Sequence, residues 1–174
     1  MPESHVLHDG TFDQAAPAPS PAAISAVSTR SNSTLLGDVA WLMMESDWHR
    51  GRRVDDFARL VMPPIGLRQF RLFHDGDVPI AYASWAFLST EAEGRFLADP
   101  LSLEPADWAS GGTAYLVDFL APNNALRKVL PYMRADPLLR RGPVRGLRTR
   151  NGIRMLIEIA ATGSGTRVRS TPLE

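Results

Sequence analysis

Residues 67–89 read "LRQFRLFHDGDVPIAYASWAFLS", and their reading decides the fold. Two runs rich in aromatic and aliphatic residues flank Asp75-Gly76. Asp-Gly between two such runs signals a tight hairpin, because glycine adopts positive φ at little cost. The second run, residues 80–88, is apolar at nearly every position. A half-exposed strand alternates apolar and polar residues, whereas a strand apolar throughout is covered on both faces. The stretch therefore predicts a hairpin whose second arm is a central, doubly covered strand.

Elements on either side supply the covering layers. Upstream, Leu35, Leu36, Val39, Leu42 and Met43 recur at helical spacing after Ser33 or Thr34 as cap, giving a helix to about Ser46. A short second helix fits "VDDFARLVM", with acids in its first turn and Pro63-Pro64 expected to stop it. Downstream, "STEAEGRFLAD" reads as a helix capped by Ser89 or Thr90, with Glu93 completing a capping box. "TAYLVDFL" (Thr113–Leu120) reads as a strand ended by Pro122. "NNALRKVLPYMRAD" predicts a helix capped by Asn123 or Asn124 and kinked or divided at Pro131. "GPVRGLRTRNGIRMLIEIAA" predicts a second hairpin turning at Asn151-Gly152. Helices interleaved with hairpins imply an α/β or α+β domain with a mixed central sheet flanked by helices.

The N-terminal residues 1–33 are rich in Ala, Pro and Ser and poor in large apolar groups. They are expected to form a disordered tail, with the folded domain over residues 34–162 and a flexible C-terminal tail over 163–174. The chain has 174 residues, no cysteine and a formal charge of zero. The absence of cysteine removes disulfides, thiolate metal sites and a cysteine nucleophile. The neutral balance gives no global field for nucleic acid or an anionic membrane. No apolar run is long enough to cross a bilayer, and no secretory pattern opens the chain, so a cytoplasmic protein is expected.

Two side chains stand out chemically. Asp118 lies inside an otherwise apolar strand, where a carboxylate is costly unless paired or facing a cleft. By strand alternation it shares a face with Leu116 and Leu120. His49 follows the first helix, with Ser46 three residues before it, close enough to hydrogen-bond if the last turn persists. A neutral imidazole is a competent base at physiological pH. His49 also suits a second role, capping the negative end of the helix dipole, and the residues alone leave both open. His74 beside Asp75 and Asp77 reads as part of a polar turn, and no metal site is expected. Trp41, Trp48, Trp85 and Trp108 are core or groove-wall candidates. There is no phosphate-binding glycine loop, and "RRGPVRG" has the wrong glycine spacing for the pyrophosphate loop of a CoA-dependent acetyltransferase.

Three blocks together resemble the RTX toxin-activating lysine acyltransferases, the hemolysin-activating protein family. The first is Leu36, Gly37, Trp41, Leu42, Ser46, His49 and Arg50 in "LLGDVAWLMMESDWHR". The second is Pro79, Ala81, Tyr82, Ser84, Trp85 and Ala86 in "VPIAYASWA". The third is Trp108, Ser110, Gly111, Asp118, Phe119, Ala121 and Pro122 in "DWASGGTAYLVDFLAP". The resemblance implies a fold like that of the N-acetyltransferases without their CoA loop. It implies transfer of a fatty acyl group from acyl carrier protein, the co-substrate in place of a resident cofactor, to internal lysines of an RTX protoxin. It implies His49 and Asp118 as catalytic residues with Ser46 beside them, Arg50, Tyr82, Ser84 and Trp85 as substrate-binding residues, and compatibility with a homodimer. The chain departs from the family pattern at Leu60, Gly112, Phe119 and "APNN" (residues 121–124). Those departures keep a second reading open, a non-catalytic module that binds an RTX-type partner or a carrier protein.

Overall fold

The structure is a computed structural model and describes residues 25–26, 30–163 and 165–173. Among the described residues seven strands form one sheet in chain order: β1 (Ser25–Ala26), β2 (Phe70–Asp75), β3 (Val78–Leu88), β4 (Thr113–Leu120), β5 (Val144–Arg150), β6 (Ile153–Thr162) and β7 (Gly165–Pro172). Every neighbouring pair is antiparallel except β4 and β5, which run parallel. The helices are α1 (Asn32–Met44), α2 (Val54–Leu60), α3 (Met62–Leu67), α4 (Thr90–Ala98), α5 (Leu126–Arg134) and α6 (Pro137–Arg141). Short 3-10 turns at Pro100–Ser102 and Pro105–Trp108 join α4 to β4. This is the α+β domain with a mixed sheet and flanking helices that the sequence predicts.

The hairpin of β2 and β3 turns at Gly76, whose φ is 62°, and β3 is almost wholly buried, flanked by β2 and β4. Its even-numbered side chains face one layer. Tyr82 packs with Leu35, Val39, Leu42 and Met43 of α1, and Ala86 and Leu88 pack with Ala92 and Phe96 of α4. On the opposite face Ala81 packs with Val129 of α5. Each large aliphatic buried this way contributes about 1.5–3 kcal/mol, which ties α1 firmly to the sheet. The end of α1, and the turn after it, are thereby delivered to one face of β4.

Several local expectations are corrected. Ser31, upstream of the expected caps, accepts from the Thr34 amide at 3.2 Å and starts α1. α2 ends at Leu60, just ahead of Pro63-Pro64, and the two prolines then lie in the first turn of a further helix, α3, which has no use for their missing N–H groups. Ser89 caps α4 through the Ala92 amide at 3.2 Å, so Ala92 occupies the capping-box position. Glu93 instead accepts from the Tyr115 hydroxyl and, at 3.1 Å, from Arg145. Asn123 and Asn124 take positive φ (54° and 60°) in a turn before α5, and α5 continues through Pro131. His74 is fully buried rather than in a polar turn, with Nε2 3.0 Å from Asp38 Oδ2. Gly165–Pro172, expected within a tail, pairs with β6 as β7. Of the expected N-terminal tail, residues 1–24 and 27–29 lie outside the described residues. Asn151 and Gly152, with φ of 52° and 78°, make the predicted second hairpin turn.

Candidate active site

The site begins with an irregularity in β4. Ser84 pairs with Asp118, but the next residue of β3, Trp85, pairs with Leu116, so Val117 is an extra residue. Consecutive residues of β3 face opposite sides, and cross-strand partners share a side. Asp118 therefore lies on the α1 side and Leu116 on the α5 side, against the expectation that they share a face. A β-bulge commonly re-aims a side chain next to a functional site, and this one turns a carboxylate toward the end of α1.

That carboxylate meets three donors. Asp118 Oδ1 lies 2.9 Å from His49 Nε2 and accepts from the Phe119 amide at 3.0 Å. Asp118 Oδ2 accepts from Arg52 Nη1 at 2.8 Å. On the far side of the imidazole, His49 Nδ1 lies 2.6 Å from Ser46 Oγ. The turn after α1 makes this reach: the amides of His49 and Arg50 both bond the Ser46 carbonyl at 3.0 Å. His49 and Asp118 are both buried. With the carboxylate charged and accepting, the proton of a neutral His49 belongs on Nε2, and the lone pair on Nδ1 faces the Ser46 hydroxyl.

A cleft opens beside this chain of groups because β4 and β5 part company. Their parallel pairing covers Ala114 with Val144, Tyr115 with Arg145, and Leu116 with Gly146, and then stops while both strands continue. An open cavity of about 840 Å³ fills the fork. Val117, Asp118 and Phe119 line one arm and Leu147, Arg148 and Thr149 the other. His49, Arg52 and the exposed Trp48 stand at one wall, with Phe96 and Leu101 among the apolar contacts. The cleft thus joins an acid–base chain to an apolar surface large enough for a ligand.

Residues 28–161 match the RTX toxin acyltransferase family. The chain belongs to that family. The span includes every member of the Ser46–His49–Asp118 chain, and β7 lies beyond it. Among the relatives is a leukotoxin-activating lysine-acyltransferase of a Pasteurella haemolytica-like species, 46% identical over 88 residues, which are 51% of this chain and 53% of the relative. The chain thus spans about half the length of that relative. A protein-lysine myristoyltransferase of Escherichia coli is 41% identical over 109 residues, 61% of this chain and 64% of the relative. A protein-lysine palmitoyltransferase of Bordetella bronchiseptica is 35% identical over 139 residues, 77% of this chain and 72% of the relative.

In this RTX acyltransferase-family chain the structure brings Ser46, His49 and Asp118 together, buries Tyr82 and Ser84 close to Asp118, and places Trp85 and Arg50 away from the site. Tyr82 is fully buried near Asp118, stacked on Phe70 at 6.2 Å, and its hydroxyl has no hydrogen-bond partner among the described residues. Burial pushes that phenol well above its ordinary range, and the nearby Asp118 charge adds to the effect. Ser84 is buried beside Asp118, and its hydroxyl is likewise without a partner among the described residues. Trp85 faces the opposite side of the sheet under the Arg71 guanidinium, 4.9 Å from the ring centre. Arg50 is exposed and pairs with Asp47 at 3.2 Å, outside the cleft lining. Arg52, which reads in the sequence as one more surface arginine, is the residue missed. Its placement depends on the turn after α1, which periodicity does not encode.

Proposed function

We propose that the protein is a protein-lysine fatty acyltransferase that takes an acyl chain from acyl carrier protein and places it on lysines of an RTX-type protoxin in the cytoplasm. The observation that carries this reading is the Ser46–His49–Asp118 chain set at the fork of β4 and β5. The relatives' names supply the chemistry: lysine acylation with long chains, and toxin activation. A protein-borne donor fits a chain without a phosphate-binding glycine loop.

The chemistry follows from the groups present. A free lysine amine has a pKa of about 10.4 and must shed a proton before it attacks a thioester. His49 Nδ1 is the acceptor, reached through the Ser46 hydroxyl, which passes its own proton to the ring as it takes one from the amine. Asp118 holds the ring in the needed tautomer and stabilises the imidazolium that forms, while Arg52 and the Phe119 amide hold the carboxylate. The attack forms the C–N bond and breaks the C–S bond; of the two protons the ammonium gives up, one goes to solvent before the attack, and the other, taken by His49 during it, leaves with the thiol. The cleft places the two reactants together, which supplies much of the acceleration.

A second reading rests on the 2.6 Å contact between Ser46 Oγ and His49. A serine, a histidine and a carboxylate touching in that order also suit a nucleophilic serine, with acyl-Ser46 as an intermediate. The two are separated by incubating the protein with loaded acyl carrier protein and no acceptor. The relay predicts an unchanged intact mass; a mass increase of one acyl group, abolished in Ser46→Ala, supports the covalent route. The reading of non-catalytic binding predicts partner binding with no acyl-lysine in the complete reaction.

A further inference from the structure

An apolar groove lies on the side of the sheet away from His49, over the paired part of β4 and β5, and reaches Leu116 at the last pair before the two strands part. Its volume is about 160 Å³, and Trp85, Leu130, Leu138, Leu139 and Ile159 are among its walls. Leu116 lines both this groove and the catalytic cleft. Its cross-strand partner is Gly146, where an added Cβ would sit 3.4 Å from Leu116 Cβ. A side chain at 146 would project onto the groove side against Leu116, at the last residue pair before the two strands part.

The groove's ionic groups are largely satisfied by one another. Arg71 donates to Asp136 at 2.7 and 3.3 Å and to the Phe70 carbonyl at 2.9 Å, and it covers the Trp85 ring. What remains is mostly aliphatic surface, half-buried at Leu130, Leu138, Leu139 and Ile159 and exposed at Val168. Such a surface suits a hydrocarbon: each methylene it shelters is worth about 0.8 kcal/mol. Its junction with the cleft at Leu116 favours a ligand already anchored there. We propose that the groove holds the distal end of the donor's acyl chain, which passes between β4 and β5 beside Leu116 while the thioester stays at His49. The inference rests on the acyl transfer proposed above and assigns to the far side of the sheet the measurement of chain length.

The test uses the full chain with acyl carrier protein bearing a myristoyl-length chain that ends in a diazirine. Photolysis and peptide mapping are expected to place the adduct on Trp85, residues 138–139 or Ile159. An adduct confined to cleft residues such as Phe96 or Leu101, or no adduct at all, overturns the proposal. Two variants read the same site by competition between octanoyl and myristoyl donors. Gly146→Leu crowds the groove beside Leu116 and Leu139→Trp fills it; each is expected to raise the octanoyl-to-myristoyl ratio at least ~10-fold, as losing shelter for a few methylenes requires. An unchanged ratio in both counts against it. A groove adduct without any acyl-lysine on the target leaves the groove standing and removes the transfer reading instead.

Discussion

His49 Nε2 lies 2.9 Å from Asp118 Oδ1 although 69 residues separate them in the chain. Two features produce the contact: the turn that follows α1, and the extra residue Val117 that turns Asp118 to the same side of the sheet. Replacing Asp118 tests the pair. Asp118→Asn keeps the shape and removes the charge, and should lower acyl-lysine formation at least ~100-fold. Asp118→Ala should also cost stability, about 3 kcal/mol, because it strips a largely buried Arg52 of its partner. Chemical denaturation measures that loss; equal stability of the alanine variant and the parent would show that the pair is not a structural tie.

Arg52 is a positioning residue, acting on the reaction only through Asp118. Arg52→Met should lower kcat far more than it raises KM for the donor, and should shift the pH–rate profile, since the carboxylate that orients His49 loses its countercharge. Arg52→Lys should restore part of the rate but not all, because an ammonium cannot reproduce the planar donor geometry. A profile unchanged in Arg52→Met would reduce the residue to structural support.

How much of this was legible in the sequence differs by element. The two hairpins were, because Asp75-Gly76 and Asn151-Gly152 are local signals whose φ requirement any context must meet. So was β4, bounded by Pro122. The bulge at Val117 was not: a strand's periodicity assumes unbroken alternation, and the extra residue shows only against β3. That is why Asp118 appeared to share a face with Leu116. β7 was illegible because "GTRVRSTP" has few large apolar residues. It is a largely exposed edge strand, held mainly by its backbone ladder to β6. α6 had a readable start in Asp136-Pro137, where Asp136 caps the Leu138 amide at 2.8 Å, yet five residues offer too little periodicity to register. Ser46 and His49 were legible as neighbours, but their partner came from the family resemblance rather than from any local pattern.

Gly111 and Gly112 should tolerate substitution very differently. A Cβ on Gly111 would lie 2.3 Å from the Leu88 carbonyl oxygen, whereas no described residue comes within 4 Å of one on Gly112. Gly111→Ala must displace backbone and should cost about 2 kcal/mol, lowering Tm by about 4–8 °C. Gly112→Ala should move Tm by less than ~2 °C. Thermal melts of the two variants check this; equal losses would contradict the packing described at the start of β4.

The Tyr115 hydroxyl, bonded to Glu93, has a pKa pushed up to about 12, first by burial and then by that carboxylate. A phenol in the unfolded chain titrates near 10. The folded form therefore holds this proton more tightly. Its contribution to stability is complete below pH 10 and is lost as the pH rises from about 10 to about 12, with a slope of up to ~1.4 kcal/mol per pH unit. Tyr115→Phe should flatten the fall in Tm across that window. An identical fall in the variant would assign the alkaline loss to other groups.

The central claim, that His49 serves acyl transfer to lysine, is tested most directly by mass spectrometry of the acceptor. Myristoyl-loaded acyl carrier protein and an RTX-type protoxin are incubated with the protein, and the digested protoxin is searched for acyl-lysine. The account predicts acylated lysine peptides with the intact chain and at least ~100-fold less with His49→Ala, folded to the same extent by circular dichroism. Equal acylation by the two proteins would contradict it.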